Sequence, residues 1–161
     1  MSDLFRVGCL LAAMLSSASV FAGDIQVENV WTRASAPGQQ AASVDATIIS
    51  KQDATLVGVS SPASKSASLH SMTMGGGMMM MRQVDAIALP SGKAVNLHDG
   101  GYHLMLEELK APLKEGDTVP LTLSIKVGNS VEEIEVRATV GSLTATDPPA
   151  MGNGHMNMKM D

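Results

Sequence analysis

Two stretches of the chain alternate strictly between apolar and polar positions. Val119, Leu121, Leu123, Ile125 and Val127 share one parity, with Thr122, Ser124 and Lys126 on the other. Ile134, Val136, Ala138 and Val140 repeat the pattern against Glu133, Glu135, Arg137 and Thr139. A period of two puts successive side chains on opposite faces of a half-buried strand. Asp24–Arg33, with Ile25, Val27 and Val30-Trp31, and Ser43–Ser50, with Val44, Ala46 and Ile48, predict two further strands. Turn signals punctuate the runs at Ala36-Pro37-Gly38, Pro90-Ser91-Gly92, Gly100-Gly101, Glu115-Gly116-Asp117 and Gly128-Asn129. A helical period is absent apart from a single turn expected around Glu107–Leu109. Short strands at this spacing predict an all-β antiparallel sandwich or small barrel.

Both ends break the pattern. Arg6 followed by the apolar run Val7–Leu15 and by Val20-Phe21-Ala22 has the layout of a secretory signal peptide cleaved after Ala22. The run is shorter than the roughly 20 residues a membrane-spanning helix needs, so no stable membrane insertion is expected after cleavage. Cys9, preceded by Val7-Gly8, has no apolar run before it and makes a poor lipidation site. At the other end, alternation stops at Ser142, and Ser142–Asp161, rich in Thr, Pro, Gly and Asn, predicts a disordered C-terminal tail. The expected organisation is a signal over 1–22, one β domain over 23–141 and a Met/His-rich tail over 142–161.

Composition then narrows the chemistry. The net charge of −5, with 11 basic against 16 acidic residues, lacks the basic footprint of a nucleic-acid binder. The single Cys leaves with the signal, so neither a disulfide framework nor thiolate chemistry is available to the exported chain. Nucleophile elbows, P-loops, dinucleotide fingerprints and HExxH motifs are absent from the sequence, and no enzyme activity is expected.

Methionine is the unusual quantity. Of 13 Met, six lie from Met72 to Met81, one is Met105 and four lie from Met151 to Met160. Core methionines fill gaps wherever they fall; these are clustered, and each cluster carries a histidine, His70, His103 or His155. In extended chain, His70, Met72 and Met74 share a face with Leu69 opposite, and His103 and Met105 share a face with Leu104 and Leu106 opposite. Thioethers beside imidazoles, on a face the core does not need, form a soft neutral donor set that favours Cu(I) over Zn(II). A shell closed by four such donors suits carriage better than catalysis, which keeps a position open. One alternative is that Met78–Met81 is simply a buried apolar strand. Elsewhere the plainer reading is preferred: His98 as a loop histidine, Trp31 as a core anchor, and Glu107-Glu108 and Glu132-Glu133 as solvated charge.

Ten residues separate His70 from Met81, 21 separate Met81 from His103, and one separates His103 from Met105. This His-x10-Met-x21-His-x-Met spacing resembles the motif of the periplasmic copper chaperone A (PCuAC-type) family. The likeness extends through Val30-Trp31-Thr32-Arg33-Ala34, Pro37-Gly38, Gly100-Gly101-Tyr102-His103-Leu104-Met105-Leu106 and Leu113–Leu123. Ser71 and Asp99 depart from it, standing where an acidic residue and a proline are common. The resemblance implies a cupredoxin-like Greek-key β-sandwich with Cu(I) held by His70, Met81, His103 and Met105. It also implies a periplasmic location and delivery to the dinuclear copper site of cytochrome c oxidase subunit II, or to a Sco-type copper chaperone. Met72, Met74 and Met79 are auxiliary candidates. So are His155, Met156, Met158 and Met160 in the tail, where the resemblance implies a second copper, Cu(II). A coil of about 20 residues spans ~25 Å, enough to reach a surface site on the domain. Copper storage or detoxification, and a metal-free β-sandwich interaction module, are the competing functions.

Overall fold

The computed structural model describes residues 24–99 and 101–149. These form ten strands: β1 Ile25–Arg33, β2 Ala41–Ser50, β3 Ala54–Ser60, β4 Ser64–Gly75, β5 Met78–Val84, β6 Ile87–Leu89, β7 Ala94–Asn96, β8 Tyr102–Leu109, β9 Thr118–Val127 and β10 Ser130–Gly141. No helix occurs among the described residues. The all-β expectation therefore holds, and the two alternating stretches are β9 and β10. They pair from Ser130↔Val127 to Thr139↔Thr118 across a two-residue turn in which Gly128 takes φ +59°, a conformation natural to glycine.

One hydrogen-bonded path runs β5-β4-β8-β2-β1-β10-β9-β3-β6, with β7 added on β2. The path rolls on itself so that β3 meets β4 and β6 meets β2, closing a sandwich. The strands β2, β8 and β9 each commit one parity to the interior: Ala42, Val44, Ala46 and Ile48 from β2, Leu104 and Leu106 from β8, and Val119, Leu121, Leu123 and Ile125 from β9. Leu56, Leu69, Ile87, Leu89, Leu97, Ala138 and Val140 complete a continuous core without a single aromatic ring among its fully buried members.

Two sequence expectations meet a different outcome. Glu107–Leu109 is the end of strand β8, not a helical turn, and Glu108 sits at φ +51° where the strand finishes. Trp31 is buried but lies outside the core. β1 carries a bulge between Glu28 and Trp31, with Asn29 at φ +51°, and it pairs Trp31 with Asp45. Ile25, Val27 and Val30 still pack on the core, so the extra residue turns Trp31 to the opposite face. There it meets Gly141, where an added Cβ would stand 3.4 Å from the indole, and the Arg33 guanidinium 5.7 Å from its ring centre. Past Gly141 the described residues contain no strand, yet the Arg33 side chain donates to the carbonyl of Ala145. The tail expected from Ser142 thus lies against the domain in its first part, and 150–161 fall outside the described residues, as does the signal segment 1–22.

Leu104 is fully buried between His103 and Met105. Leu104→Ala should cost about 2–5 kcal/mol, and Leu104→Met under about 1.5 kcal/mol. Denaturant unfolding checks this; equal small losses would mean that β8 is not anchored by this side chain.

Candidate metal centre

β4 and β8 run antiparallel with Leu69 opposite Leu104 and His70 opposite His103. Directly opposed residues share a face. Since Leu69 and Leu104 are committed to the core, the two imidazoles must meet on the outer face. The same register sets Met105 opposite Ser68, and β5 sets Met81 opposite Met72 and Met79 opposite Met74. All six of these residues have the parity of His70 and His103. With strands ~4.8 Å apart and ~3.4 Å per residue, the Met72 backbone stands about 8 Å from that of His103, and Met81 about 12 Å. Met81 therefore comes to the histidines from the outermost strand, 47% exposed, while Met72 and Met105 flank them on β4 and β8.

His70 is the most constrained of these donors, its side chain 15% exposed. Its Nε2 lies 2.8 Å from Ser68 Oγ, and that hydroxyl lies 3.2 Å from Glu107 Oε1. A carboxylate only accepts, so the single Ser68 proton goes to Glu107 and the oxygen accepts from His70 Nε2–H. This assigns the tautomer and leaves Nδ1 with its lone pair. Nδ1 is buried and has no hydrogen-bond partner among the described residues. A metal ligand with its other nitrogen tied through a hydroxyl to a carboxylate has this arrangement. Glu107, read from sequence as solvated charge, belongs to the His70 network.

His103 has a different environment. Its ring meets that of His98 edge-on, 6.4 Å between centres and 87° between planes. His98 Nδ1 lies 3.1 Å from Asp45 Oδ2, a carboxylate whose side chain is only 10% exposed, and its Nε2 lies 3.6 Å from Asp99 Oδ1. The turn holding His98 is fixed by Leu97 N–H bonding the Ala46 carbonyl at 2.8 Å, and by Asn96 Oδ1 accepting from the N–H of His98. His98 is a loop histidine, as the sequence suggests, but its turn brings it against both His103 and Asp45. Partial burial holds the pKa of His103 below the ordinary 6.5; Asp45 opposes that shift, and His98 and His70 reinforce it.

The donor chemistry fits a soft cation. Among the described residues no group of three or more His, Cys, Asp or Glu is placed to hold a metal ion, whereas thioethers share the face of the two histidines. His70, Met81, His103 and Met105 all reach one face, and so do the auxiliary candidates Met72, Met74 and Met79. His155, Met156, Met158 and Met160 lie outside the described residues. The chain leading to them runs past the centre: Thr146, Asp147 and Pro148 line a pocket of about 130 Å³ with Trp31, Asp45 and His98.

The chain matches the profile of the LpqE-like family, described as "Putative lipoprotein LpqE-like", over residues 25–140. A protein of Leifsonia xyli subsp. xyli, "Putative lipoprotein Lxx21020", is 34% identical over 110 residues, 68% of this chain and 66% of its own length. The chain thus spans just under two thirds of that relative. Among solved structures, the copper-bound PCuAC domain from PmoF2 is similar at a TM-score of 0.61 and 24% identity, over 74% of this chain and 94% of that domain. The solution structure of the Cu(I) form of DR1885 from Deinococcus radiodurans is similar at 0.56 and 30% identity, over 78% and 85% of the two chains. The sandwich is therefore the cupredoxin-like fold of PCuAC domains.

A depressed His103 pKa has a definite sign. The unfolded chain takes up its proton first as pH falls, so the metal-free fold loses stability from about pH 6.5 downward until folded His103 also titrates. His103→Gln should flatten that part of the profile, read as the urea midpoint between pH 7.5 and 5. An unchanged slope would mean that His103 is not held neutral.

Proposed function

The chain belongs to the LpqE-like family, within the PCuAC-like group, and from that premise we propose that it is an exported copper chaperone. It takes up Cu(I) at His70, Met81, His103 and Met105 and passes it to a partner. The observation that carries this reading is the cross-strand histidine pair, with a buried and unpartnered Nδ1 on His70. Likeness to a protein solved with Cu(I), at 30% identity, supports the choice of metal.

The chemistry follows from the donors. Two neutral imidazoles and two thioethers leave the +1 charge of Cu(I) uncompensated, and each thioether is held weakly. An incoming anionic ligand, such as a thiolate of the recipient, gains charge compensation as it displaces them, so the ion leaves by stepwise ligand exchange. β5 is an edge strand with Met81 exposed, which lets that methionine close over the ion or withdraw from it. The recipient in this proposal is the dinuclear copper site of cytochrome c oxidase subunit II, or a Sco-type chaperone serving it. The periplasm is the proposed compartment, with 1–22 as the export signal; the lipoprotein descriptions of the family and of the Leifsonia relative support export.

Competition for Cu(I) against a chromophoric chelator under reducing conditions tests the proposal. His103→Ala and Met105→Ala should each weaken the tightest site by at least about tenfold, equivalent to ~1.4 kcal/mol. Wild-type affinity in both variants would sink the assignment, and an absence of stoichiometric binding in the parent protein would favour an interaction module.

A further inference from the structure

The β4–β5 hairpin carries more sulfur than one site requires. Met74 is 71% exposed and Met79 64% exposed, and they face each other across the hairpin two residues beyond the Met72–Met81 pair. Exposed apolar side chains on an edge strand gain little from burial and invite edge-to-edge association, so their presence calls for another stabilising role. Parity supplies one. Met74 and Met79, then Met72 and Met81, then His70 lie on a single face of the hairpin. Opposed Cβ atoms are ~5 Å apart, and successive pairs along the strands are ~7 Å apart. A thioether reaches several ångströms from its backbone, so the two sulfurs of one pair can share an ion, and neighbouring pairs can hand it on.

We propose that Met74 and Met79, assisted by Met72, form a second, thioether-only site for a soft monovalent cation. It loads the histidine centre through the Met72–Met81 pair. This inference rests on the Cu(I)-carrier reading of the histidine centre. A neutral, solvent-facing pair of sulfurs captures the ion loosely; the next pair and the buried Nδ1 of His70 bind it with successively better donors. No bond other than metal–ligand bonds changes, and the ion stays monovalent throughout. The hairpin tip suits the task, since Gly76 at φ +60° and Gly77 at φ +80° turn the chain directly beside Met78. The opposite face provides an internal control. Met78 and Met80 lie there with Thr73 and Gly75, and both are exposed like Met74 and Met79.

The test is a titration of the full chain, labelled with ¹³C at methionine methyls, with Ag(I) as a redox-inert probe of the same softness. The Met74 and Met79 methyls should shift, at a lower affinity than Met105. The double substitution Met74→Leu/Met79→Leu, which nearly conserves volume, should slow loading of the Met105 signal by about tenfold while leaving its final occupancy intact. Met78→Leu/Met80→Leu should change neither. Equal slowing by both double variants, or by neither, overturns the inference while Met105 still binds. If Met105 and the His103 ring signals also fail to respond in the parent protein, the carrier reading itself fails.

Discussion

Everything at this centre depends on one packing commitment, the opposition of Leu69 and Leu104 across β4 and β8. Both are buried in the core, and a strand cannot turn one residue inward without turning its neighbours outward. The register that seals the interior therefore sets His70 against His103 on the outer face. A slip of one residue would bury imidazoles and expose leucines, so the geometry of the candidate centre inherits the stability of the core. Preorganisation of this kind is inexpensive for the protein, because the same hydrogen bonds and the same apolar burial serve both purposes.

The two imidazoles, made equivalent by the ladder, are differentiated by their neighbours. His70 is held through Ser68 and Glu107, which position its Nε2 proton and leave Nδ1 bare. His103 is packed edge-on by His98, itself anchored on the buried Asp45. One ring is fixed mainly by hydrogen bonds, the other by packing and partial desolvation. Around them the thioethers grade outward from Met105 on interior strand β8, through Met72 on β4, to Met81 on the exposed edge. For the proposed carrier, which must both hold its ion and release it, an imidazole pair ringed by progressively more exposed sulfur would serve both demands.

Much of this was legible in the chain. The alternation in β9 and β10 is clean because one face of each strand is polar, and the parity of Leu69 with His70, and of His103 with Leu104, already separated core from site. What escaped the sequence lies where alternation stops carrying information. A one-residue bulge at Asn29 turned Trp31 away from the core, and such an insertion leaves no periodic trace. His98 stands in a turn, where its partner is set by the Asn96 and Leu97 backbone bonds and by Asp45, 53 residues earlier in the chain. Glu107 looked like surface charge because its partner Ser68 comes from another strand. The apolar run Met78–Met81 proved to be a strand, but an exposed one, since β5 extends past the edge of the core that sequence cannot delimit.

The most direct measurement is X-ray absorption at the copper edge on the protein loaded with one equivalent of copper under reducing conditions, because it reads oxidation state and ligand shell together. A Cu(I) edge and a mixed shell of nitrogen and sulfur, two of each, are expected, with the sulfur contribution reduced in Met105→Ala. A shell of nitrogen and oxygen without sulfur, or a Cu(II) edge that persists under reductant, would contradict the proposed site.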